Sequence, residues 1–211
     1  MKQLIAPLAL AAAIALVPTL AHAGLDSDNP LHPLVGIALT GGGDKLSSVE
    51  YENGDSRDIT AGGLVQLYGG VEFHQKDSPF GFQATFGYHV DNNTASNGNQ
   101  RFQRWPIEAI ALFNVAPKFR LGVGARYAAS PKFTSDGAGY VGNADFTSHL
   151  GALVMGEWLI TPSMGLQLRY VHEKYKIGGN CHVGSDGSID LCQAAVTIDG
   201  SHGGIGFNYY F

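Results

Sequence analysis

The sequence predicts an all-β fold: a closed, eight-stranded, antiparallel up-and-down barrel that crosses a membrane. Three observations carry this reading. Side chains alternate between apolar and small or polar with period two along eight segments, as they do on strands with two different faces. The connections between those segments alternate between long and short. Charged residues make up only 15% of the chain and glycine 29 of its 211 residues, against about 25% charge and about 7% glycine in ordinary soluble domains. An apolar outer surface around a narrow interior calls for both.

The chain opens Met1-Lys2-Gln3, runs apolar from Leu4 to Leu20 and reaches Ala21-His22-Ala23. A positive start, a short apolar run and an A-x-A site predict a secretory signal peptide over residues 1–23, cut after Ala23. Pro7 and Pro18 interrupt the run, which is barely long enough to span a bilayer as a helix. Residues 24–211 form the barrel domain. No later segment approaches about 18 uninterrupted apolar residues, so membrane residence falls to a closed barrel, which leaves no backbone group unpaired in lipid.

The strands are expected near 34–40, 58–74, 80–90, 101–114, 118–128, 148–160, 164–177 and 194–211. In the second, Ile59, Ala61, Gly63, Val65, Leu67, Gly69, Val71 and Phe73 share a face, opposite Thr60, Gln66, Glu72 and His74. In the third, Phe80, Phe82, Ala84, Phe86, Tyr88 and Val90 oppose Gly81, Gln83, Thr85, Gly87 and His89. The fifth sets Phe119, Leu121, Val123, Ala125 and Tyr127 against Arg120, Gly122, Gly124 and Arg126. Pro106 lacks an N–H for the ladder, so an irregularity is expected beside it. Leu153, Met155 and Leu159 share a face with Glu157 and should pack inside. Val196 and Ile198 have the opposite parity to Phe207, so either they stand beyond the bilayer or Gly203-Gly204 marks a bulge. In the last strand Ile205, Phe207, Tyr209 and Phe211 fall on one face, and Gly206, Asn208 and Tyr210 on the other.

Residues 41–57, 91–100, 129–147 and 178–193 are long connections rich in Gly, Asn, Asp and Ser. Residues 75–79, 115–117 and 161–163 are short, and each contains or adjoins a proline. Phe73, Phe80, Phe113, Phe119, Trp158, Tyr209 and Phe211 lie by the short turns, and Tyr88, Trp105, Tyr127 and Tyr170 nearer the long connections. Two aromatic levels suit the two interfaces of a membrane.

Signal peptide, strand count, connection rhythm and the ending Phe207-Asn208-Tyr209-Tyr210-Phe211 together resemble the small eight-stranded bacterial outer-membrane barrels, of the OmpA transmembrane domain and OmpX type. The resemblance implies short periplasmic turns, long extracellular loops and a monomer. It implies contact with outer-membrane lipid, lipopolysaccharide and the barrel assembly machinery, with Phe207, Tyr209 and Phe211 as the assembly signal. No peptidoglycan-binding domain of the OmpA kind is expected, because the sequence ends with the barrel. A formal charge of −5 supplies no basic footprint for nucleic acid.

By parity Glu72, Glu108, Arg120, Arg126, Glu157, Arg169 and Glu173 point inward. An eight-stranded barrel is just wide enough for its own side chains, so these charges are expected to pair and close the lumen. A narrow channel is the rival. Cys181 and Cys192, an even pair in an exported chain, predict a disulfide. It would close a segment of roughly a dozen residues and restrict that segment's unfolded state by about 3 kcal/mol.

No catalytic, cofactor or metal site is assigned. Two enzymes that modify lipid A share this architecture. The deacylase type presents a histidine and a serine two apart on one lipid-facing strand, and no His-x-Ser occurs after residue 23. Ser148-His149 and Ser201-His202 are adjacent, so each pair splits across the wall. His172 and Ser201 could share the outward face of the last two strands, unless a Gly203-Gly204 bulge turns Ser201 inward. Gly41-Gly42-Gly43-Asp44-Lys45 lacks the spacing of a P-loop, and Ser185-Asp186-Gly187-Ser188-Ile189-Asp190 has too few carboxylates for a calcium loop. The functional reading is therefore a structural or surface-interacting barrel, with a lipid A-modifying acyl hydrolase or acyltransferase as the alternative.

Overall fold

A computed structural model describes Leu25 and residues 28–50, 56–95, 98–137, 142–182 and 197–211. The expected signal peptide and Cys192 lie outside the described residues. The strands are β1 (Leu31–Gly42), β2 (Lys45–Glu50), β3 (Ser56–Thr60), β4 (Leu64–His74), β5 (Phe80–Ala95), β6 (Gly98–Ala116), β7 (Phe119–Gly137), β8 (Asn143–Ser148), β9 (Gly151–Thr161), β10 (Met164–His172), β11 (Lys174–His182), β12 (Thr197–Asp199) and β13 (His202–Tyr210). Eight of them make the wall, in the order β1-β4-β5-β6-β7-β9-β10-β13, and β1 pairs back onto β13 to close it. Every pairing is antiparallel, so the chain is a closed eight-stranded meander, as the alternation of connections predicts.

The short turns are tight. Pro117-Lys118 and Pro162-Ser163 each link neighbouring strands, and Ser78 N–H closes the third turn onto Gln75 O at 2.9 Å. At this rim Leu25 packs with Leu34, Tyr68 and Tyr210 inside the mouth, where its N–H donates to Pro162 O at 3.0 Å.

The opposite rim departs from expectation. Among the described residues, the four long connections are largely sheet rather than loop. β5 and β6 continue as one hairpin to the pair Ala95↔Gly98, and β8, β11 and β12 prolong β9, β10 and β13 past short breaks at 149–150, 173 and 200–201. The expected strand 58–74 is two strands. Residues 61–63 turn the chain between β3, which pairs with β2 in a hairpin, and wall strand β4. Ile59 therefore faces the interior of the molecule, although Phe73 on the same parity faces out. The inward side chains of this upper section (Leu46, Ile59, Phe102, Phe133, Phe146, Tyr175 and Ile198 among them) form an apolar core over the barrel mouth. Apolar burial on one face explains why the strands persist beyond the wall.

The β6–β7 register shifts between Gln103 and Trp105, beside Pro106. The extra residue lies on β7, where Ser130 takes φ 48°. A bulge there reverses the parity of β7 and turns Phe133 into the upper core. In β13 the register runs through Gly203 and Gly204 without a shift, against both β1 and β10. Ile198 thus opposes Phe207 in parity because it belongs to the upper core, and no bulge marks the glycines.

Candidate functional site

The wall below that core has inverted polarity. Its outward face carries Leu39, Phe80, Phe82, Val123, Trp158, Leu168 and Ile205, all exposed, with Leu168 at 68%. Trp105, Tyr127 and Tyr170 are exposed toward the upper rim, and Phe73, Phe113 and Phe119 toward the lower. The inward face is polar and charged. Strand pleating alone produces this: each strand sends odd residues one way and even residues the other.

The structure places all seven of the anticipated lumen charges inside, buried, in two clusters. In the lower one Arg120 Nε donates to Glu157 Oε2 at 2.5 Å, while Nη1 and Nη2 reach Glu72 at 2.5 and 3.0 Å. Tyr210 OH accepts from Arg120 at 2.6 Å and donates to Glu157 at 2.9 Å. Asn208 and Gln167 donate to Glu157 at 3.1 and 3.3 Å. In the upper cluster Arg126 donates to Glu173, Gln66 and Glu108 at 2.9, 2.9 and 2.5 Å, and Arg169 donates to Glu108 at 2.6 Å. Bidentate and shared contacts of this kind are what let buried charges offset their desolvation.

Arg104 is the member the sequence reading missed. It is fully buried, contacts His89 at 3.2 Å and lies 3.7 Å from Glu173. With it the lumen holds four arginines against the four glutamates. Its signal was present: Arg104 shares the parity of Glu108 on one strand. Between the clusters, Ile110, Leu112, Leu153, Met155 and Val171 pack together. They fit because Gly122 faces them; a Cβ there would come within 2.7 Å of Met155. Leu153 and Met155 are inside as expected, with Leu159 partly buried at the lower mouth.

Outside the wall, the structure brings one pair together. His172 Nδ1 and Ser201 Oγ stand 2.8 Å apart on the outward face. Ser201 sits in the break between β12 and β13, where its N–H donates to Asp199 Oδ1 at 2.9 Å and Gly200 N–H donates to Glu173 O at 2.9 Å. Hydrogen bonding from Ser201 holds the Asp199 carboxyl below the usual carboxylate range. Ser148-His149 does split across the wall, Ser148 buried and His149 exposed. Cys181 lies on β11 opposite Ala144, and the expected pairing with Cys192 falls outside the described residues. Phe207, Tyr209 and Phe211 lie on the outward side of β13, with Tyr209 and Phe211 rings 4.9 Å apart. Among the described residues no cluster of His, Cys, Asp or Glu could hold a metal ion.

Comparison with solved structures returns outer-membrane barrels. Neisserial surface protein A is 15% identical, covering 87% of this chain and 98% of its own, with a TM-score of 0.44. Ail, the attachment invasion locus protein of Yersinia pestis, solved with the heparin analogue sucrose octasulfate, is 13% identical over 86% and 97%, with a TM-score of 0.43. OmpT, an outer membrane protein of Vibrio cholerae, is 18% identical over 87% of this chain and 52% of its own, with a TM-score of 0.31. No family model matches the chain, and no curated protein matches its sequence. The chain has the architecture of a small eight-stranded outer-membrane barrel, on the strength of its own topology and inverted wall.

Proposed function

We propose that this protein is a monomeric integral barrel of a bacterial outer membrane, exported by a cleaved signal peptide, with a sealed lumen and a role at the cell surface. The carrying observation is the change of polarity along one continuous wall. An apolar exterior over charged contents suits lipid, and the upper section with its apolar core and polar exterior suits water. On this reading the short turns are periplasmic, and the upper section is a rigid extracellular projection that meets surface partners, lipopolysaccharide included. Phe207, Tyr209 and Phe211 serve recognition by the assembly machinery.

Two layers argue against conduction: the charge clusters fill the lumen, and the apolar core lies over its mouth. In a planar bilayer the purified protein should give no steady conductance, and protease on intact cells should spare residues 75–79. Steady conductance would favour the channel reading, and cleavage at 75–79 would reverse the orientation. A lipid A-modifying enzyme stays as the second reading because of a single observation, the 2.8 Å contact of His172 with Ser201.

A further inference from the structure

We propose that Ser201 and His172 form a nucleophile–base pair that cleaves an acyl ester of an anionic lipid at the membrane interface. The inference rests on the outer-membrane reading above and deepens its second form. A serine hydroxyl is a weak nucleophile until a base within hydrogen-bond reach takes its proton, and the 2.8 Å separation meets that condition. The usual fate of a Ser–His contact is a buried structural bond. Here the histidine is exposed and the serine part-exposed, both on the outer surface.

Depth along the wall identifies the substrate. On β10, Leu168, Tyr170 and His172 are successive outward residues, and all three are exposed. Leu168 faces hydrocarbon, and Tyr170 is the amphipathic ring that settles where tails meet headgroups. His172 stands one strand step further, about 7 Å along the strand. That is the level at which the ester linkages of a bilayer lipid lie. Lys174 and Lys176 continue the same face outward. Lys174 lies opposite Asp199, and Lys176 lies between Thr197 and Thr147 on its two neighbours. The order apolar, aromatic, Ser–His, lysine matches tail, interface, ester and negatively charged headgroup.

The chemistry balances with water as the second reactant. With Nδ1 unprotonated, His172 accepts the Ser201 hydroxyl proton as Oγ bonds to the acyl carbonyl carbon. The ester C–O bond breaks and the departing alcohol takes that proton from His172. Water then attacks the acyl-serine, passing a proton to His172, and the fatty acid leaves as Ser201 recovers its proton. Asp199 is a positioning residue, since it holds the Ser201 backbone in the break between β12 and β13.

The test uses the protein purified in detergent, with folding of each variant checked by the heat-modifiable gel shift. A fluorophosphonate probe should form a covalent adduct on Ser201, located by mass spectrometry. Fatty acid should be released from phosphatidylglycerol vesicles or from lipopolysaccharide bilayers, the two arms separating phospholipid from glycolipid, and faster than from phosphatidylcholine. Ser201→Ala and His172→Ala should each lower release by about 100-fold or more, and Lys174→Gln with Lys176→Gln should abolish the preference for anionic lipid. Absence of the adduct, release from neither anionic lipid, or a wild-type rate in Ser201→Ala would overturn the proposal. Such failure in a folded, membrane-inserted, non-conducting protein leaves the barrel reading intact, whereas steady conductance or reversed orientation strikes at that reading itself.

Discussion

The lower and upper halves of this molecule are both built from antiparallel strands, with β5, β6 and β7 running through both, and have opposite polarity. In the lower half Arg120, Glu72 and Glu157 are inside while Phe82 and Val123 stand 63% and 62% exposed. In the upper half Phe102, Phe133, Phe146 and Tyr175 are inside, and Lys132, Lys174, Lys176 and Thr197 are outside. At the boundary the backbone changes by a bulge on β7, by short breaks at 149–150, 173 and 200–201, and by the turn at 61–63 that sets the β2–β3 hairpin apart from the wall. Period two builds both halves, and the surrounding solvent decides which residues go on which face. Each half therefore fails by a different physical route, and the comparison can be broken one half at a time.

The largest effect is expected from Arg126→Ala. Arg126 donates to Glu173, Gln66 and Glu108 in a dry interior, and its loss removes one cation from two buried carboxylates, leaving Glu108 to Arg169 and Glu173 to the longer contact with Arg104. Unfolding by denaturant in lipid should show a loss of about 3–5 kcal/mol. A loss below about 1 kcal/mol would mean charges that see water and would remove the contrast between the halves.

In the upper half the comparable change is Phe102→Ala. Its ring meets those of Phe146 and Tyr175, each at 5.7 Å, so truncation leaves a cavity worth about 3–5 kcal/mol. The loss should stay local. Hydrogen exchange should rise in β8, β11 and β12 while the heat-modifiable band of the barrel persists. Equal exchange in the lower wall would show that the two halves unfold as one.

Exchanging outward residues tests the boundary itself. Leu168→Lys puts a charge at the middle of β10 on the lipid face, at a cost of about 2–4 kcal/mol. Lys176→Leu, on the same face above Tyr170, should change stability by no more than about 0.5 kcal/mol. Similar costs for the two would mean that both sites see the same surroundings.

Much of the lower half was legible in the sequence because a membrane wall writes its alternation plainly. Arg120, Arg126 and Arg169 could be placed by counting residues in twos. The upper half was harder to see. Asn, Gly, Asp and Ser abound there and read as loop, and Phe133 and Phe146, counted in twos from Arg126 and Glu157, fall on the outward parity although both are inside. What hid them was the bulge at Ser130, which reverses the count on β7, and the turn at 61–63, which lets two strands pass for one. Arg104 was missed for the related reason that Pro106 made the count beyond it untrustworthy. The His172–Ser201 contact depended on whether a glycine pair shifted register, which local sequence does not determine: Gly203 and Gly204 accept either geometry, and pairing on both sides fixes the regular one.

The smallest effect on the barrel should come from the double substitution Cys181→Ser with Cys192→Ser. Cys181 lies on β11 near its far end, opposite Ala144 and beyond the register irregularity after Ile177. The packed rings of Phe102, Phe146 and Tyr175 lie closer to the wall than this end of the hairpin, and none of the wall's hydrogen bonds passes through it. A disulfide acts chiefly on the unfolded state of the segment it closes, so its loss should loosen that segment alone. Limited proteolysis should therefore cut faster within 178–193 in the double variant, with the denaturant midpoint of the barrel moved by less than about 0.5 kcal/mol equivalent. Loss of the folded band would mean that the two halves are mechanically one, and that the tip of the projection supports the wall in the membrane.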